Sequence, residues 1–217
     1  MPQIFRPSAD SLARVAIATL VLLAIGIPTT VAIVQRSSLV TDVGVVQAQP
    51  VFFSHKHHVA DDGIDCRYCH TSVEESPFAG MPSIEICMNC HRQIWNESPM
   101  LEPIRTSYRT GAPIAWKRVH DLPDFVYFDH SIHVAKGVGC ETCHGRVDRM
   151  PLLWRVNTLQ MDWCLECHRH PERQVRPRDQ VFTMGWRPPG NDQIALGSRL
   201  VQAYGIQRKT DCSICHR

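Results

Sequence analysis

The sequence predicts a body of short helices and irregular chain whose interior is filled by something other than aliphatic side chains, tethered to one N-terminal membrane-spanning helix. Three observations lead there. Of 217 residues 44% are hydrophobic, but 15 of these lie in the run from Val15 to Gln35 and 10 more are cysteines. The remainder makes a thin core for a globular domain. Fifteen prolines and 12 glycines break that remainder into short pieces, and 12 histidines accompany the cysteines. Every cysteine, finally, belongs to one five-residue pattern. The formal net charge of +2 is too mild for a nucleic-acid binder.

The pattern is Cys66-x-x-Cys69-His70, Cys87-x-x-Cys90-His91, Cys140-x-x-Cys143-His144, Cys164-x-x-Cys167-His168 and Cys212-x-x-Cys215-His216. C-x-x-C-H is the attachment signature of c-type haem: two thiols add to the porphyrin vinyl groups, and the following imidazole takes one axial position on iron. Zinc ribbons need pairs of C-x-x-C per metal, and five is odd. A disulfide framework joins distant segments and gives no reason for one fixed local unit. The expected cofactors are five covalently bound haem c. The fold class is therefore a multihaem cytochrome c, haem-cored and mostly irregular with short α-helices, plus the N-terminal transmembrane helix.

The elements follow in order. Residues 1–14 are read as a cytoplasmic N-terminus and residues 15–35 as the anchor, since 21 residues without a charge span a bilayer as a helix. A cleavable signal peptide would carry a shorter apolar core and a small-residue cleavage site, which Val46 to Gln49 match poorly. Arg6 and Arg14 precede the span, and after Arg36 no further basic residue comes before Lys56. That bias sets the N-terminus inside and the haem domain on the periplasmic, extracytoplasmic face of the inner membrane. Pro28 removes a backbone donor within the span and is a candidate kink.

A linker, 36–52, leads to an internal duplication. Phe53, His55 and His58 precede the first two motifs; Phe128, His130 and His133 precede the third and fourth. The first di-haem repeat covers 53–91 and the second 128–170. Phenylalanine to first cysteine is 13 residues in one copy and 12 in the other, so the two align with a single insertion. The connector 92–127 reads as irregular. In 171–217, residues up to Asn191 read as an extended surface wrap. A helix over 192–204, capped by Asn191 or Asp192 and ended by Gly205, then leads to the fifth motif.

An iron with two strong protein ligands carries electrons, whereas one with an open position is a reaction centre. Five histidines sit in the motifs, so His55, His57, His58, His120, His130, His133 and His170 are spare. The recurring pairs His55 with His58 and His130 with His133 are the expected distal ligands. His120 is the expected fifth, with Met161 as the alternative, and His57 and His170 are left over. No catalytic residue is expected, and full coordination argues against an enzyme in its own right. Nineteen arginines against four lysines suit bidentate pairing with haem propionates.

The sequence resembles the membrane-anchored pentahaem cytochrome c subunit of alternative complex III, a bacterial quinol:electron acceptor oxidoreductase. The resemblance rests on the single N-terminal span, the repeated F-x-H-x-x-H before C-x-x-C-H, the string WKRVHDLPDFVYFDHSIHVAKGVGCETCHG from Trp116 to Gly145, and MDWCLECHR from Met161 to Arg169. It implies a role in respiratory electron transport beside an iron–sulfur subunit, polytopic quinol-binding membrane subunits and a monohaem cytochrome. Electrons would pass on to a periplasmic acceptor or oxidase. A multihaem reductase, or another membrane-anchored periplasmic cytochrome, is the alternative.

Overall fold

The computed structural model describes residues 6–216 and divides into two units, 1–43 and 44–217. The first is dominated by α1 (Pro7–Arg36), followed by the single turn α2 (Ser38–Thr41). Proline in the first turn is preorganised for helix entry, and an Asp10–Arg14 ion pair at 2.8 Å supports that turn. The helix therefore begins eight residues before the apolar run does. Residues 8–36 are long and apolar enough to cross a membrane, and none of their most apolar stretch is buried by protein. A helix apolar on all sides and uncovered is compatible with a single-pass anchor. Pro28 leaves it continuous, and the Thr29 hydroxyl donates to the Ile25 carbonyl at 2.7 Å.

The second unit has no β-strand among the described residues, only isolated bridges such as Val46 with Trp154 and Val138 with Val175. Its helices are short: α3 (Cys66–Cys69), α4 (Ile84–His91), α5 (Glu102–Thr110), α6 (His130–Ala135), α7 (Cys140–His144), α8 (Met161–Arg169), α9 (Gln193–Ala203) and α10 (Cys212–Cys215). Each C-x-x-C lies on one helical turn, which brings both thiols to the same side of the chain.

The duplication is visible in three dimensions, and so is its insertion. The second copy carries His133 on the α-helical α6, whereas the first carries His57 and His58 on a π-helical turn, Lys56–Asp61. A π-bulge is an α-helix holding one extra residue. Ile64 N–H donates to the His58 carbonyl just as Val138 N–H donates to that of His133, so the extra residue is absorbed between them.

Aliphatic packing is indeed sparse. One cluster joins Val51, Met88 and Ile104, with Ile84, Leu101 and Trp116 against it. Ile104 belongs to α5, so the stretch read as an irregular connector contains a nine-residue helix. Glu102 in its first turn accepts from Arg105, Thr106 and Arg109, which pulls its carboxyl down to about 2. A first-turn acid and Gly111 at a left-handed C-terminus are the local signals for it.

The 171–191 stretch also departs from expectation. The segment is not extended but forms short 3₁₀ turns that bury Pro171, Val175, Arg176 and Val181, the two valines to 1% exposure, while Arg173, Arg178 and Asp179 stay at the surface. Helix α9 clamps it: Gln193 Nε2 donates to the carbonyls of Glu172 and Val175, and a Cβ on Gly197 would stand 1.9 Å from the Glu172 carbonyl oxygen. The helix itself lies where the sequence predicts, with Asp192 accepting from Ala195 N–H at its start.

Candidate haem sites

Metal-ligating histidines almost always donate their other ring N–H to a carbonyl or carboxylate, which fixes the tautomer and frees the second nitrogen. Four motif histidines have that arrangement. Nδ1 of His70 lies 2.8 Å from the Gly80 carbonyl oxygen, that of His91 3.0 Å from Ile94, that of His168 2.7 Å from Lys209, and that of His216 3.1 Å from Phe125. The expected distal histidines follow suit: His58 on Ser54 at 2.9 Å, His130 on Pro77 at 2.7 Å and His133 on Asp129 at 2.6 Å. Of the leftover histidines, His57 has both ring nitrogens facing carboxylates, those of Asp61 and Asp62, and stacks on Trp95; His170 has Nδ1 facing Glu172 at 3.3 Å.

Ring spacing tests the fit to haem. An iron between two imidazoles, with metal–nitrogen bonds of about 2 Å, puts the ring centres roughly 6 Å apart. Ring centroids stand 6.2 Å apart for His58 and His91, 6.2 Å for His133 and His168, and 6.3 Å for His130 and His144. In each copy one phenylalanine positions the pair. Phe53 meets His55 edge-on and stacks on His58; Phe128 does the same to His130 and His133. The residues present fit haem c, which would supply one-electron chemistry at iron.

His55, His70, His120, His130 and His144 gather at the centre of the unit. Burial, with neighbouring imidazoles, lowers His144 to about 3 and His55 to about 4; burial, with Arg155 nearby, lowers His120 to about 4. The neutral imidazole is the form that binds iron. Nδ1 of His55 and Nε2 of His120 are buried with no hydrogen-bond partner, so each nitrogen is left for another partner. His120 sits 4.3 Å from His144, ring centre to ring centre. The structure thus places the expected fifth distal ligand in the central cluster. The ring stacked beside His216 is Phe125, at 5.8 Å. Met161 is 66% exposed at the start of α8.

Sequence reasoning missed the polar support around the third motif. Arg176, 7% exposed, donates from Nη2 to Glu141 Oε1 at 2.9 Å, while Gly185 N–H donates to Glu141 Oε2 at 2.6 Å. The guanidinium occupies the place a Cβ on Gly139 would take. Arg146 pairs with Asp148 at 2.8 Å. Nearby, Arg173 pairs with Glu166, and Arg178 covers the Tyr204 ring and donates to Ala135. Arginines open to a propionate reading thus have partners within the chain.

These features define a multihaem cytochrome c domain. The chain belongs to the family described as cytochrome c7 and related cytochrome c, whose profile matches residues 51–99 and 126–217. The unmatched gap holds α5 and His120. Over 97 residues the chain is 37% identical to the multiheme cytochrome c subunit of menaquinone reductase from Nitratidesulfovibrio vulgaris (strain Hildenborough). That alignment takes in 44% of this chain and 45% of the relative, so it spans less than half of either protein. Family membership makes the covalent haem c chemistry and the electron-transfer role explicit.

Proposed function

We propose that this chain is the electron-transfer subunit of a membrane quinol:electron acceptor oxidoreductase of the alternative complex III kind, carrying five haem c and no catalytic site of its own. The observation that carries the reading is the set of three imidazole pairs at iron-compatible spacing, five of whose six rings are turned by a carbonyl so that the other nitrogen faces away from it. Two-sided ligation closes an iron to substrates and leaves it one-electron exchange. The N-terminal helix supports a single-pass anchor, with the haem unit on the periplasmic side. Quinol oxidation would occur in partner subunits: an iron–sulfur subunit, polytopic membrane subunits and a monohaem cytochrome. Electrons would leave to a periplasmic acceptor or oxidase.

The name of the menaquinone reductase relative favours a second reading of direction, in which electrons reach menaquinone through such a subunit instead of leaving quinol. The haem sites serve either direction.

Intact mass after acid extraction, together with carbon monoxide added to the reduced protein, tests the proposal. Five haems above the 24.6 kDa polypeptide and a nearly unchanged spectrum are expected. Fewer haems, or strong carbon monoxide binding by a chain that migrates alone on a native gel, would overturn it.

A further inference from the structure

We infer that the five haem-attachment motifs stand in space in the order second, first, third, fourth, fifth, so that the first and third form the junction between the two copies and the second and fifth are the termini. This rests on the five-haem reading above and adds the order to it. The chain itself runs the first and second motifs in the opposite sense, so sequence position does not predict the path.

Each step has its own contact. Second to first: Asn89, inside the second motif, donates from Nδ2 to the Tyr68 hydroxyl, inside the first, at 3.1 Å. First to third: the two copies exchange backbone. Lys56 N–H donates to the Met150 carbonyl at 3.1 Å, and Ser131 N–H donates to the Ser76 carbonyl at 3.3 Å. Met150 and Ser76 occupy matching places, each ten residues after the first cysteine of its copy. Third to fourth: His130 faces His144 and His133, one turn on, faces His168, so one helix turn reaches both motifs. Fourth to fifth: the motif histidine His168 is held by the carbonyl of Lys209, three residues before Cys212.

The exposed cysteines are Cys90 and Cys212, one in each proposed terminal motif. In such a row each electron lost by a ferrous iron is gained by the adjacent ferric iron. Traffic between the copies would then cross the junction of the first and third motifs, and exchange with outside donors and acceptors would take place at the second and fifth.

The test uses the full-length holoprotein in detergent, with His58→Met and His133→Met variants whose haem content is checked by intact mass. A thioether ligand raises the potential of its haem, and the charge of that reduced centre lowers the potentials of its neighbours. An EPR-monitored redox titration of His58→Met should show one neighbouring haem displaced downward, and His133→Met should show two. Iron positions in the unmodified holoprotein give a reading independent of the variants, with the shortest iron–iron distances expected for second–first, first–third, third–fourth and fourth–fifth. A second haem lying nearest the third, fourth or fifth would overturn the order, as would two neighbours displaced by His58→Met. A mass short of five haems would instead overturn the functional reading, so the two failures are distinguishable.

Discussion

His130 of the second copy reaches into the first, where its Nδ1 lies 2.7 Å from the carbonyl oxygen of Pro77 and its backbone N–H donates to the same oxygen at 3.2 Å. One carbonyl thus fixes both the ring and the start of α6. The residue that orients the imidazole proposed as a distal ligand in one copy is supplied by the loop that follows the first motif of the other. On that proposal, haem ligation in the second copy would be coupled to packing of the two copies.

From this relationship, His58→Ala, His130→Ala and His133→Ala should each give a high-spin ferric signal in EPR and visible spectra at one haem. His57→Ala and His170→Ala, whose rings face carboxylates, should leave the low-spin spectrum intact. A high-spin signal from either of the last two would undo the ligand assignment.

His120→Ala should likewise perturb a buried central haem, because its free Nε2 lies in the same cluster as His144. Met161→Ala, at an exposed side chain, should change nothing spectroscopic. The reverse outcome would give the distal role to the thioether.

Gly197→Ala tests the clamp of α9 on the 171–175 segment. The added methyl meets a backbone carbonyl at 1.9 Å, which cannot swing away. Overpacking of this kind costs about 1–3 kcal/mol, lowering Tm by roughly 2–4 °C per kcal/mol. Ser198→Ala, next to it and exposed, is the control and should melt like the parent.

Acidification gives a fourth expectation. Without iron, His55, His120 and His144 have folded values of about 4, 4 and 3, below the ordinary 6.5 of an unfolded chain, and bonding to iron would hold the same neutral form, so the direction is unchanged. Between those limits the unfolded state binds more protons, so stability falls as pH drops. Their contribution is whole above about pH 6.5 and declines steadily toward pH 4 and below. Thermal unfolding monitored across pH 4–8 should show that slope, and a flat profile would contradict it.

Finally, removal of residues 1–43 behind a substitute signal peptide should release a soluble domain with its full complement of haem. The remaining unit contains every motif cysteine and every expected ligand histidine. Incomplete loading, measured by mass, would show that the anchor takes part in assembly.

Much of the site was legible because covalent attachment writes itself locally. C-x-x-C-H marked the attachment units from spacing alone, and α9 could be placed from its cap and Gly205, whereas the helical turn under each attachment unit came from the structure. The recurring F-x-H-x-x-H announced the duplication, and its single extra residue became the π turn after His55. Helix α5 was less legible. Its stability comes from one glutamate gathering two arginines and a threonine, a charge pattern too short to give an apolar period.

By itself, then, the sequence determined the chemistry: which thiols bind, which imidazoles follow them, how many copies there are, and that an apolar helix precedes them. Only the tertiary structure decided which distant groups meet. It set Lys56 against Met150, His130 against Pro77 and His120 among the central imidazoles, and it buried Val175 and Val181 within a stretch rich in proline and arginine. The physical reason is range. Attachment and capping act within a few residues and leave a mark in spacing, whereas contacts between copies depend on the summed path of two loops and on burial shared by residues far apart in the chain.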